Sequence, residues 1–153
     1  GGEESGGEAD GVAGERLTSV DRYKSLERQM AGLILWLESI EAPSVNPGEL
    51  RRLWAESADK SSVDEIFSAL SKEDRHQIVF EAELRYDDAA KVSAEAHKVL
   101  ADIGGEYLKR ELQGLIREIG EAERSGDHAR ALSLLKRSKD VTSRLNLLKK
   151  SGN

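Results

Sequence analysis

The sequence predicts an all-α fold: a bundle of five to six short helices followed by a long helix and an antiparallel C-terminal helical hairpin. Three observations predict it. Apolar residues recur at three- and four-residue intervals along most of the chain, and no alternating β-branched run is bounded by turns. Only two prolines occur in 153 residues, which leaves room for long uninterrupted helices. Charged residues make up 34% and aromatics only 5%, a balance that suits helices with broad solvated faces.

The chain opens on GGEESGGEADGVAGE, which combines glycine and acid with almost no large apolar side chain. Such a stretch buries too little surface to offset its ordering entropy, so residues 1–17 are expected to be a disordered acidic Gly-rich linker. The first helix is expected near Thr18 or Ser19. It carries Val20, Tyr23, Leu26, Met30, Leu33, Ile34, Leu37 and Ile40 on a wide face. Gly32-Leu-Ile-Leu-Trp-Leu37 is apolar nearly all round, which predicts a central position. Ala42-Pro43 closes this helix, because proline disfavours α backbone before it.

Asn46-Pro47 reads as an N-cap followed by proline at the first helical position. The helix after it uses Leu50, Leu53 and Trp54. Ser62-Val-Asp-Glu65 matches a capping box, with Val63, Ile66, Phe67 and Leu70 on one face. Ser71-Lys-Glu-Asp74 is a second such signal, ahead of Ile78, Val79 and Leu84. From Asp87 the pattern stays helical to Arg124, interrupted by Gly104-Gly105. Each glycine costs a helix interior about 1 kcal/mol against alanine, so this pair marks a hinge, kink or subdomain boundary, or, with no proline nearby, a helix that still runs through. A helical body is therefore expected over 18–104 and a hairpin over 105–150.

In the hairpin, Leu108, Leu112, Leu115, Ile119 and Ala122 alternate by four and three. Ser125-Gly126-Asp127 supplies a C-terminal glycine and an N-cap acid. Ala131, Leu134, Ser138, Val141, Leu145 and Leu148 return the stripe. Two such stripes joined by a three-residue turn should pack antiparallel.

The net charge of −6 is unevenly spread. Residues 1–15 carry −5, residues 16–105 carry −5 and residues 106–153 carry +4. An acidic body with a mildly basic end argues against DNA or RNA as the main ligand. It suits contact between the basic end and an acidic protein surface. With no cysteine, disulfides and thiolate metal sites are excluded, in keeping with a reducing cytoplasm. The start has the wrong chemistry for a signal sequence, and the longest apolar run, Ala31 to Leu37, is too short to cross a bilayer.

Catalytic signals are missing. His76, His97 and His128 form no metal-binding pair, and Asp87-Asp88 are neighbours that point apart on a helix. Neither a nucleophile elbow nor a phosphate-binding glycine loop occurs. The expectation is a non-enzyme with no cofactor, metal or small-molecule ligand. Trp36 and Trp54 sit beside leucines at helical spacing and read as core rather than as partner anchors. Leu132, Leu135 and Leu147 fall outside the hairpin seam, amid Lys136, Arg137, Lys139, Arg144, Lys149 and Lys150. They either widen a helix face beneath snorkelling cations or meet a partner.

Tyr107-Leu-Lys-Arg-Glu-Leu-Gln-Gly-Leu-Ile-Arg-Glu-Ile-Gly-Glu-Ala-Glu-Arg-Ser-Gly-Asp127, continued by Ala129-Arg-Ala-Leu-Ser-Leu-Leu-Lys-Arg137, resembles the arms and turn of a known module. Together with the apolar helix Met30–Leu37, it is similar to the C-terminal helicase-binding domain of bacterial replicative DNA primase. The resemblance spans roughly Tyr23 to Lys150, in helix layout more than in identity. It implies a fragment of a longer protein, with the acidic start as a linker from a catalytic core. It further implies docking of the hairpin among the N-terminal domains of the replicative helicase, coupling primer synthesis to unwinding. On that basis Leu132, Leu135, Arg137, Arg144, Leu147, Leu148 and Lys150 are the expected partner-binding residues, with no direct nucleic-acid or membrane contact. The alternative is a helical-repeat-like scaffold or adaptor, since Ser125-Gly-Asp-His-Ala-Arg-Ala-Leu132 resembles a turn between repeat helices. No second copy at a period of about 34 residues accompanies it.

Overall fold

A computed structural model describes residues 2–151, with side chains described for 20–150 apart from Ala89. The fold is all-α: among the described residues there are six helices and no strand. They are α1 (Gly2–Ser39), α2 (Pro47–Ser57), α3 (Lys60–Ala69), α4 (Lys72–Arg85), α5 (Ala89–Arg124) and α6 (His128–Ser151). The first helix, expected near Thr18 or Ser19, starts at Gly2, so the backbone of the stretch expected as a linker, 1–17, is helical from there; its side chains lie outside the described residues.

Helix α1 is central, as its all-round apolar run requires: it packs against α2, α4 and α5. Met30, Leu33, Ile34 and Leu37 are fully buried in it. Gly32 lets α4 come close, because a Cβ there would stand 2.7 Å from the Ile78 carbonyl oxygen. Trp54 of α2 is completely buried and meets Phe67 of α3 edge to face, with centroids 5.9 Å apart. Trp36 is half-buried and stacks on Tyr86, whose hydroxyl accepts a hydrogen bond from Gln29 Nε2 at 2.6 Å. Val92, Ala96, Val99, Leu100 and Ile103 of α5 complete this core.

The helix ends follow their capping chemistry. The Asn46 side chain accepts from the backbone N–H of Gly48 and Glu49, with Pro47 opening α2. Ser71 and Asp74 form a reciprocal capping box. The box expected at Ser62 is not used. Helix α3 starts a turn earlier, capped by Asp59, which accepts from the Ser61 N–H, while the Ser62 hydroxyl donates to the other Asp59 oxygen. At the far end of α3, the Phe67 carbonyl accepts from the Leu70 N–H at 3.4 Å and from the Arg75 guanidinium at 2.8 Å.

Helix α5 takes one of the two outcomes open at Gly104-Gly105. The long helix and the first hairpin arm are one element, because the backbone stays helical through Gly104-Gly105. Ile103 and Leu108 are buried on either side of the pair, and their packing outweighs the glycine penalty. Gly104 is buried where three helices meet: a Cβ there would lie 3.5 Å from Leu148 of α6 and 3.7 Å from Ser57 of α2.

Candidate docking surface

The last two turns of α5 are closed by a Schellman arrangement. The Asp127 N–H donates to the Ala122 carbonyl at 2.8 Å, and the Gly126 N–H to the Glu123 carbonyl at 3.2 Å. Gly126 takes φ of +75°, a conformation that glycine reaches without a Cβ penalty. Asp127 then caps α6 by accepting from the Arg130 N–H at 3.1 Å. The chain therefore reverses within three residues.

Helix α6 returns along α5. Arg130 pairs with Glu118 and Arg137 with Glu111, at 3.4 and 2.7 Å. Partners on α5 fall in number as those on α6 rise, so the two arms are antiparallel. Leu108, Leu115, Val141 and Leu145 are buried between them, joined by the partly buried Leu112, Leu134 and Leu148. Ser138 sits in this seam with its hydroxyl satisfied by the Leu135 carbonyl at 2.7 Å.

With the seam filled, three leucines of α6 remain outside it: Leu132 is 59% exposed, Leu135 42% and Leu147 64%. The register that joins 118 to 130 and 111 to 137 sets Ile116 of α5 level with Leu132, and Ile116 is exposed as well. Leu132 and Leu135 border a shallow groove with Ile119, Glu123, His128 and Ala131. Lys136 and Lys139 stand exposed one turn along from them.

The seven expected binding residues do not form one patch. Leu132, Leu147 and Lys150 share the outward face of α6, with Leu135 at its edge. A rise of about 1.5 Å per residue separates Leu132 from Leu147 by about 22 Å. Arg137 lies on the opposite flank, bound to Glu111 across the hairpin. Leu148 packs into the seam and against Gly104. Arg144 is exposed between these two sides. The leucines and Lys150 are thus presented outward, whereas Arg137 and Leu148 hold the arms together.

At its base the hairpin meets the body through Glu106. This buried carboxylate lies 3.7 Å from Arg22 of α1 and 3.6 Å from Lys109. A cleft of about 400 Å³ opens beside it, lined also by Asp102, Leu145 and Lys149. On another side, Tyr23, Glu27, Tyr107 and Arg110 line a groove between α1 and α5. Burial, and then the Glu27 carboxylate, push the Tyr23 phenol up to about 12, so it stays protonated. Burial raises the Glu27 carboxyl too, opposed by Arg110, whose guanidinium lies 5.1 Å from the Tyr23 ring centre. His76, His97 and His128 are all exposed on separate helices, and His97 Nδ1 donates to the Ser93 carbonyl at 2.7 Å.

Two exposed apolar features escape a one-helix reading. Ile116 is adjacent in sequence to the seam residue Leu115 and shows its exposure only once α6 is in place. On α4, Leu84 points outward rather than into the core, with Phe80 beside it, at 67% and 55% exposure. The spacing of Ile78, Ala82 and Tyr86 marks the inner side of that helix, and Phe80 lies two residues from both Ile78 and Ala82.

No protein family, curated protein or solved structure matches the chain in comparison with known proteins. Among the described residues, no helix is long and apolar enough to cross a membrane.

Proposed function

We propose that this chain is a non-catalytic docking module, similar in role to the C-terminal helicase-binding domain of bacterial replicative primase. The outward face of α6 binds the N-terminal domains of the replicative helicase ring and tethers primer synthesis to the moving fork in the cytoplasm. The body positions the hairpin, and no cofactor takes part.

One observation carries the reading. Leu132, Leu135 and Leu147 stay exposed on an arm whose seam is already filled by other residues. Their exposure does nothing for the hairpin's own stability, and large apolar side chains rimmed by cations are the raw material of an interface. The charge distribution agrees with it: residues 106–153 carry +4 in a chain of −6, which favours an acidic partner.

The test is a pull-down of purified bacterial replicative helicase by the full chain. Leu132→Asp combined with Leu135→Asp should abolish capture while circular dichroism stays unchanged. Raising the salt should weaken capture by the wild-type chain, because exposed charges contribute to it. Capture by the double variant at the wild-type level would overturn the assignment of this face.

A further inference from the structure

The outer face of α4 is a second unpartnered apolar surface, and its charge is opposite to that of the hairpin. Helix α4 buries Ile78 and Ala82 against α1 and ties one flank to it through Arg28 and Glu81, at 3.0 Å. Phe80 and Leu84 stand one turn apart on the other side, both more than half exposed. By helical position Glu73 and Glu83 flank them, and Asp87 follows just beyond the helix end. All three are exposed, and among the described residues none of them is in an ion pair. His76 lies in the same row; Arg85 follows Leu84 on the flank toward Glu81 and shares a small pocket with Asp87, Asp88, Lys91 and Glu95, and Lys72 stands at the helix start.

The hairpin carries the complementary arrangement. By helical position Lys136 and Lys139 follow Leu132 and Leu135 by one turn, likewise outside every ion pair among the described residues, while Glu123 and His128 line the groove with the two leucines. Within one chain the two faces do not meet, since α4 packs on α1 and α6 on α5.

We propose that a second copy of this chain seats its α6 face, through Leu132 and Leu135, on the Phe80–Leu84 row of α4. Lys136 and Lys139 of one copy then face Glu83, Glu73 and Asp87 of the other. Apolar anchors exclude water at the centre, and opposite charges at the rim set the register and reject like against like. The two faces differ, so the contact is head-to-tail, and the pair retains one free donor face on one copy and one free acceptor face on the other. Only a few side chains contribute on each side, so the contact is weak and depends on concentration. The same leucines serve the helicase contact proposed above, so that partner would compete with the second copy.

A head-to-tail contact has a distinctive test. Sedimentation of the wild-type full chain from low to high micromolar concentration should show a rising average mass, reduced by high salt. Phe80→Asp alone destroys every acceptor face, and Leu135→Asp alone destroys every donor face, so each variant should stay monomeric. Mixed in equal amounts they should form dimers that grow no further, because one supplies an intact hairpin and the other an intact α4. Both positions are exposed, and circular dichroism should show unchanged helicity. A wild-type chain that is monomeric throughout, a single variant that associates like wild type, or a monomeric mixture would each overturn the proposal. Phe80→Asp leaves the hairpin intact and should still capture helicase, which separates failure here from failure of the docking reading.

Discussion

The helical body and the hairpin use the same apolar residue types to different ends. In the body, a helix with apolar residues nearly all round is covered by three others, and Met30, Leu33, Ile34 and Trp54 lose all contact with water. In the hairpin, the buried apolar cluster between the two arms holds four large side chains, and leucines of similar size remain in solvent. Two helices can cover only one stripe each, so any further apolar residue must face outward or find another molecule. The contrast teaches that a leucine in a helical sequence is a statement about burial only after its neighbours have been counted.

Substitutions can break or sharpen that contrast. The largest effect is expected for Trp54→Ala, which empties a fully enclosed site: urea unfolding should show a loss of about 3–5 kcal/mol. Gly32→Ala comes next. The added methyl meets backbone rather than a movable side chain, at 2.7 Å from the Ile78 oxygen, and should cost about 1–3 kcal/mol in the same measurement.

Alkaline unfolding probes the join between α1 and α5. The folded Tyr23 phenol titrates near 12 against an ordinary value of 10.0. A raised folded value means that its contribution is fully present below the ordinary value and is lost as pH rises through the folded one. Thermal stability should therefore fall between those two values, and Tyr23→Phe should flatten this part of the curve.

The smallest effect has the opposite sign. A Cβ at Gly105 meets nothing within 4 Å, so Gly105→Ala should raise stability by about 1 kcal/mol on urea unfolding. A loss there would mean that the helix does not run straight through the pair with open space beside Gly105.

Much of the fold is legible in the sequence because local chemistry decides it. Asn46-Pro47, Ser71 with Asp74, and Gly126-Asp127 all cap or turn where their side chains dictate. The seam was equally readable, since the alternation of Leu108, Leu112 and Leu115 with Val141 and Leu145 needs only helical geometry. What the local pattern leaves wrong or open has one cause, competition from something outside it. Asp59 pre-empted Ser62 as a cap by offering its carboxylate a turn earlier. At Gly104-Gly105, where the local pattern left a break or a continuous helix open, burial on either side favours the continuous helix. Of the candidate binding residues, the leucines outside the seam could be found from periodicity. The role of Arg137 could not, because its partner Glu111 lies on the other arm and depends on the register between the two.

The most direct test of the account is the footprint of the helicase on this chain, read by amide hydrogen exchange of the full chain with and without the purified ring. The account predicts added protection within 128–150 and the facing part of α5, with α2 and α3 unchanged. Protection confined to α2, α3 or α4, with exchange in α6 the same in both states, would contradict it.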